Sequence, residues 1–240
     1  MLRKNFENIL HDILRFVILP LTLIIALWNA PSIIYVIPFF NIKKVEVNTE
    51  NPELKAVIEG CIRKDFKDNY LLLLLNGDKL KQKLALLSKY YVKEIQLTHY
   101  DWLTGTLKVN IKTRKPFFNL NDKFLLGSDG ILFGFIKKQG LTKIVDYTAD
   151  WNYGMLYDKF DPSKFYQFTV KHSISLIEVT PSRMELISTR AVLDVPLTTP
   201  SNIDINQLNR FLSEIERNLG DGHKIFLTLY GSKTYALKTY

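Results

Sequence analysis

The pattern of apolar and polar positions divides the chain into a short tail, a long apolar stretch and a larger part of mixed character. No charged residue occurs from Phe16 to Ile42, and about 20 consecutive apolar residues suffice for a helix to cross a bilayer. Beyond this stretch, apolar and polar positions alternate in short segments, which is typical of strands with one buried face. The pattern predicts a short tail over 1–15, a transmembrane helix over 16–38, and folded domains after it.

Two features of the apolar stretch leave alternatives open. A cleaved signal peptide is the rival interpretation, but its apolar region is shorter and ends in a small-x-small motif, which we do not find here. The basic residues near the stretch are balanced on its two sides, with Arg3, Lys4 and Arg15 before it and Lys43, Lys44 and Lys55 after it. Since cytoplasmic flanks are enriched in Lys and Arg, this near-tie does not determine orientation.

The residues after the apolar stretch predict a small α+β domain over 40–115. Apolar and polar residues alternate over 42–47, 92–97 and 107–112, as expected for strands. Two helices are predicted between the first two strands, one starting at Asn51-Pro52 and one rich in leucine before residue 88. The order β-α-α-β-β places helices on one face of a three-stranded sheet.

A second domain, mostly antiparallel β, is predicted over 116–240. Short apolar runs are separated by turn-forming residues, and Ser128-Asp129-Gly130 fits a hairpin turn because Asp-Gly tolerates positive φ. One helix is predicted after Asp204, followed by strands over 224–230 and 234–237. The predicted fold class is therefore α+β: one transmembrane helix, a small β-α-α-β-β domain, and a mostly antiparallel β domain with a C-terminal helix and strands.

Composition indicates a folded, basic chain. Hydrophobic residues make up 47% of it and charged residues 23%, whereas disordered chains contain fewer apolar residues. A net charge of +8 at pH 7 fits a solvated basic surface, attraction to anionic headgroups or nucleic-acid binding. Because the basic residues are scattered and not interleaved with aromatic ones, we predict no nucleic-acid binding. The single cysteine, Cys61, cannot form an intrachain disulfide, and we interpret it as an apolar filler.

No arrangement of residues along the sequence predicts an enzyme. The histidines show no metal-ligand spacing; they are His11, His99, His172 and His223. The sequence contains neither a nucleophile elbow nor a phosphate-binding glycine loop. We therefore predict no catalytic residue, no cofactor, no metal site and no small-molecule substrate. Because distant residues can converge in a fold, a membrane-anchored enzyme stays open as an alternative.

Five segments carry a resemblance to a known protein family. They are Phe40–Val47, Tyr91–Leu97, Leu107–Ile111, Leu126–Phe133 and Asp204–Leu237. In their order and spacing, and in the apolar stretch that precedes them, the chain resembles the FtsQ/DivIB family of bacterial cell-division proteins. The likeness covers nearly the whole chain.

The resemblance implies a location and a set of partners. The N-terminus would be cytoplasmic and the C-terminal part periplasmic, with the protein in the inner membrane at the division septum. The domain over 40–115 would correspond to the family's POTRA domain and serve recruitment to the division site. The protein would bind FtsB, FtsL and other divisome proteins, link early and late components, and control septal peptidoglycan synthesis without being an enzyme.

The last strand is the predicted site of partner binding. The resemblance implies that FtsB binds near it, and an exposed edge strand can pair with a partner strand. The predicted site residues are Tyr230, Ser232, Lys233, Thr234, Tyr235 and Leu237. The alternative interpretation is that Tyr235 and Leu237 pack into the core of the domain.

Two further classes of function stay open on the sequence alone. A POTRA-type adaptor in protein export or envelope assembly would use the same strand pairing. A purely structural tether would need no partner at the last strand.

Overall fold

The computed structural model describes residues 20–22, 24–25, 38–49, 51–189, 191–196, 205–218, 224–230 and 233–239. A 3-10 turn covers Pro38–Phe40. The longer helices in these ranges are α1 (Pro52–Phe66), α2 (Tyr70–Leu75), α3 (Gly77–Leu87), α4 (Pro162–Lys171) and α5 (Ile205–Asn218).

The strands fall into two groups along the chain. Those of the first group are β1 (Lys44–Asn48), β2 (Val92–Asp101) and β3 (Thr106–Thr113). Those of the second are β4 (Pro116–Leu120), β5 (Phe124–Gly127), β6 (Leu132–Phe133), β7 (Thr142–Asp146), β8 (Ile174–Val179), β9 (Arg183–Ser188), β10 (Ala191–Pro196), β11 (Lys224–Tyr230) and β12 (Lys233–Thr239).

The predicted transmembrane helix over 16–38 is wrong for this structure. Among the residues that the structure describes, no helix is long and apolar enough to cross a membrane. The described helical residues of that range are 20–22 and 24–25, far fewer than the roughly 20 needed to span a bilayer. The predicted cytoplasmic tail, 1–15, lies outside the described residues.

The α+β part of the predicted fold class is confirmed. In the first sheet the order is β1-β3-β2, and β1 runs parallel to β3 with Val45 opposite Leu107 and Val47 opposite Val109. Two helices were predicted between β1 and β2, and the structure has three. The additional helix is the apolar run Tyr70–Leu75, which begins at Asn69 because the Asn69 side chain accepts a hydrogen bond from the Leu72 N–H. This run is α2, which ends before the separate helix α3.

Helix α1 shows why the sequence folds as predicted in this region. Its N-cap, Asn51, accepts hydrogen bonds at Oδ1 from the backbone N–H groups of Glu53 (3.0 Å) and Leu54 (3.1 Å), which satisfies donors that a helix start leaves open. The helix ends where Lys67 adopts a left-handed conformation with φ of 49°. Its inner face buries apolar residues: Leu54, Ile58, Cys61, Ile62 and Phe66. The interpretation of Cys61 as a buried filler is confirmed.

The second sheet contains more antiparallel than parallel pairs of neighbouring strands, as predicted, but it is mixed. Its nine strands follow the order β12-β11-β10-β9-β8-β7-β4-β5-β6. Parallel pairing occurs between β4 and β7, β7 and β8, and β10 and β11, and the other neighbours are antiparallel. Parallel neighbours need a crossover connection, and helices lie between β7 and β8 and between β10 and β11 in sequence.

Helix α4 supplies one of these crossovers and was not predicted. Asp161 caps it, accepting hydrogen bonds from the backbone N–H of Ser163 at 3.0 Å and of Lys164 at 3.4 Å, and Pro162 opens its first turn. Phe165 and Phe168 from this helix are buried in the core of the second sheet. Leu208 and Leu212 of α5 join the same core.

Contacts along the backbone divide the chain into two compact units. One comprises Met1–Gln82 with Ile95–Asn110, and the other comprises Lys83–Glu94 with Ile111–Tyr240. The second unit holds the nine-stranded sheet. The predicted domain boundaries, 40–115 and 116–240, stay a prediction.

Candidate partner-binding edge

The last strand lies at one end of the nine-stranded sheet. β12 pairs antiparallel with β11, from Tyr230 opposite Lys233 to Lys224 opposite Thr239. In the part of the chain that the structure describes, no strand pairs with the other side of β12. A strand in this position carries a row of backbone N–H and C=O groups along its outer side, and such a row can pair with another chain.

Neighbouring elements fix the position of this strand. β11 pairs in parallel with β10, with Val192 opposite Phe226 and Leu193 opposite Leu227. Leu193 is buried in the main core together with Leu208 and Leu212 of helix α5. The last hairpin is therefore joined, through β10, to the hydrophobic core of the unit.

The structure brings most of the predicted site residues together in this hairpin. Lys233, Thr234, Tyr235 and Leu237 all lie in β12, and Tyr230 ends β11 directly opposite Lys233. The sixth predicted residue, Ser232, lies outside the described residues. The backbone placement matches the strand that the sequence predicts, and the partner-binding role of these residues stays a prediction.

The other end of the sheet is covered by the chain itself. The Leu132 N–H of β6 donates to the Met155 carbonyl at 3.0 Å, and the Gly154 N–H donates to the Leu132 carbonyl at 2.7 Å. The Tyr157 N–H also donates to the Gly130 carbonyl at 2.8 Å. Together these bonds define a covering segment, residues 151–157, which occupies backbone groups that an edge strand would otherwise expose.

Close packing at a glycine makes this cover possible. Gly154 has φ of +86°, and a Cβ atom placed there would lie 2.4 Å from the nearest atom of the Tyr90 ring. No side chain fits so close an approach, and a positive φ also favours glycine. Tyr90 therefore lies directly against the backbone of the covering segment.

An ion pair fixes the turn next to β6. Arg114 Nε donates to Asp129 Oδ2 at 3.1 Å, and its Nη1 donates to the carbonyls of Tyr90 and Val92. The side chains of Arg114 and Asp129 are 13% and 23% exposed, so both groups are partly withdrawn from water. The Ser128-Asp129-Gly130 turn is confirmed, with Gly130 at φ of +76°.

The covering segment also buries a titratable group. Tyr157 is 2% exposed. Burial, and after it the negative charge of Asp146, raises the pKa of Tyr157 well above its ordinary value of 10. The phenol therefore stays neutral at every physiological pH.

Sequence reasoning assigned no role to the covering segment. Its residues show neither helical nor strand periodicity, because it crosses the sheet edge as a loop with only an isolated bridge between Ile131 and Leu156. The available local signal was Gly154, because glycine is the residue that most readily adopts positive φ.

Two of the four histidines, His99 and His172, lie within the described residues. His172 is buried, and its Nε2 lies 2.9 Å from Asn209 Oδ1, while His99 is exposed on β2. His11 and His223 lie outside the described residues. Over the ranges that the structure describes, no group of three or more His, Cys, Asp or Glu residues is arranged to hold a metal ion.

Comparison with protein-family models finds no matching family, and comparison with curated proteins finds no match.

Proposed function

We propose that this chain is a non-enzymatic scaffold of the bacterial divisome, in which β12 receives a strand of FtsB. The observation that carries the proposal is the terminal position of β12 in the nine-stranded sheet. The resemblance of the sequence to the FtsQ/DivIB family supports the identity of the partner. In this function the chain binds FtsB and FtsL, connects early with late divisome proteins, and controls septal peptidoglycan synthesis.

Strand addition is the binding mode that this edge favours. A partner in extended conformation forms main-chain hydrogen bonds with the outer row of the strand, and its alternate side chains provide specificity. The opposite edge is a poor acceptor, because Leu132 already uses both its N–H and its carbonyl in bonds to the covering segment. The two edges therefore differ in their capacity to bind a partner.

Substitution at Thr234 tests the proposal. Proline has no N–H and disrupts strand pairing, so Thr234→Pro should weaken FtsB binding by roughly tenfold or more. The measurement is a titration of the full-length chain with FtsB. Thr234→Ala is the matched control, because it removes the side chain but keeps the N–H, and its affinity should stay close to that of the unchanged protein.

A second variant tests the proposal even if Thr234→Pro unfolds the hairpin. Tyr235→Ala retains every backbone group, and loss of an aromatic anchor at an interface typically weakens binding by about 2 kcal/mol. Thermal melting of each variant establishes that it is folded. If both Thr234→Pro and Tyr235→Ala are folded and bind FtsB as tightly as the unchanged chain, the proposal is wrong.

A further inference from the structure

A cleft near the covered end of the sheet is lined by an excess of basic residues. We call it the lysine cleft and define it by Lys89, Lys123, Lys137, Lys138 and Tyr153. Its volume is about 300 Å³, at the lower end of the range of small-molecule sites. All of these residues belong to the second unit.

Separate parts of the fold bring these lysines together. Lys123 precedes β5 after the turn from β4, Lys89 follows helix α3, and Lys137 and Lys138 follow β6. Lysines up to 49 positions apart in sequence therefore converge on one cleft. Each of these four lysines is exposed, so their ammonium groups can reach a bound molecule.

An aromatic ring forms one wall of the cleft. A Cβ atom at Gly134 would lie 2.7 Å from Cε1 of Tyr153, so the ring packs directly on the backbone there. Tyr153 also contacts Phe124 edge-on, with ring centroids 4.9 Å apart. Nζ of Lys89 lies 5.5 Å from the centroid of the Tyr153 ring. The packed Tyr153 ring and the ammonium group of Lys89 therefore lie close together in the cleft.

Within the described residues, no ion pair neutralises the positive charge of the cleft. Among the described residues, no carboxylate forms an ion pair with any of the four lysines. The one acidic residue in the lining, Asp122, is paired with Lys143 instead. Like charges held close together repel one another, and a bound anion relieves that repulsion.

The backbone around the cleft is held in unusual conformations. Lys89, Asp122 and Phe135 line the cleft with φ values of 46°, 55° and 77°. Residues other than glycine seldom adopt positive φ, and such residues concentrate at functional sites. Phe135 is held by a stack on Tyr91, with ring centroids 5.9 Å apart.

We propose that the lysine cleft binds a small organic phosphate. The phosphate would lie among the lysine ammonium groups, which act as point charges toward phosphate oxygens, and a ring of the ligand would lie against Tyr153. A multiply charged anion matches four unpaired lysines better than a single carboxylate does. This site is independent of strand pairing at β12 and goes beyond the scaffold function.

Calorimetric titration of the full-length chain at low salt tests the site with simple probes. Phenyl phosphate carries both a ring and a phosphate, inorganic phosphate lacks the ring, and benzoate lacks the phosphate. We expect saturable binding of phenyl phosphate that is tighter than binding of either other probe. Raising the salt concentration should weaken it, because the ammonium groups are exposed.

Matched double variants locate the binding. Lys137→Gln with Lys138→Gln should weaken phenyl phosphate binding by roughly tenfold or more. Lys64→Gln with Lys79→Gln removes the same charge from exposed positions outside the cleft and should leave binding unchanged. Equal weakening by both pairs, or no saturable binding to the unchanged chain, would overturn the proposal. Binding of a glutamate-rich peptide in place of phenyl phosphate would also overturn it, in favour of an acidic protein partner.

Discussion

The two ends of the nine-stranded sheet differ in how their backbone groups are used. At the β6 end, the covering segment accepts from and donates to Leu132, and Tyr157 bonds to Gly130. At the β12 end, the described part of the chain contains no strand on the outer side. Although both ends belong to one sheet, they differ in whether local chain already bonds the outer backbone groups. An edge becomes available only where local chain does not already occupy its hydrogen-bonding groups.

The largest expected effect comes from breaking the covered end at Gly154. Gly154→Ala places a Cβ atom 2.4 Å from the Tyr90 ring at φ of +86°, so we expect a loss of roughly 3 kcal/mol or more in the free energy of unfolding. Urea denaturation measures this loss.

Gly140→Ala is the matched control for Gly154→Ala. Gly140 has φ of +75° but no atom within 4 Å of its would-be Cβ, so only the backbone strain of about 1–2 kcal/mol remains. If Gly154→Ala and Gly140→Ala lose the same free energy of unfolding, the close approach of Gly154 to the Tyr90 ring does not stabilise the covering segment.

A smaller effect is expected from removing the ion pair beside β6. Arg114→Ala leaves Asp129 partly buried beside Lys93, with a 3.6 Å contact between Lys93 Nζ and Asp129 Oδ2, and frees the carbonyls of Tyr90 and Val92. We expect a loss of about 2–3 kcal/mol in the free energy of unfolding, below the full value for a deeply buried pair because some solvent reaches it.

Lys112→Ala is the comparison for this ion pair. Lys112 bonds to Glu94 at 2.8 Å, with side chains 69% and 43% exposed, and its loss should change stability by less than about 1 kcal/mol. A similar small loss in Arg114→Ala would show that the turn at Asp129 does not depend on the arginine.

The smallest effect on the free energy of unfolding at neutral pH is expected for substitution of Tyr157, because its ionisation affects stability only at alkaline pH. The pKa of Tyr157 is raised in the folded state, so the folded protein holds this proton more tightly than the unfolded chain. Its contribution to stability is complete below pH 10 and decreases as the pH rises above 10, by at most about 1.4 kcal/mol per pH unit.

Tyr157→Phe should remove this alkaline dependence. The measurement is the difference in unfolding free energy between the unchanged chain and the variant from pH 8 to pH 11. A difference that stays constant over this range would mean that the Tyr157 side chain of the covering segment is not buried in the core.

Local signals in the sequence predicted the elements that short-range chemistry determines. Asn51-Pro52 marks the start of α1, and Asp129-Gly130 marks the turn before β6, because capping and positive φ depend on a few adjacent residues. Helix α5 was predicted from its apolar face. The strand order was not predictable in this way. In the sheet β4 lies between β5 and β7, and the pairing of strands that are distant in sequence does not change the hydrophobic periodicity of either strand.

The candidate site was only partly predictable for the same reason. The sequence predicted strands over 224–230 and 234–237 with a turn between them, and the structure puts the last strand at the end of the sheet. The covering segment and the lysine cleft were not visible, because their residues come together only through the fold. The apolar stretch over 16–38 was the opposite case, in which a strong sequence signal predicted an element that is absent from the described residues.

Amide hydrogen exchange of β12, with and without FtsB, tests the central claim most directly. If a partner strand pairs with this edge, outward-facing amides of Lys233–Thr239 should exchange more slowly when FtsB is saturating. The amides of Leu132–Phe133 should exchange at the same rate in both conditions, because that end is already covered. Unchanged exchange throughout Lys233–Thr239 at saturating FtsB would contradict the account.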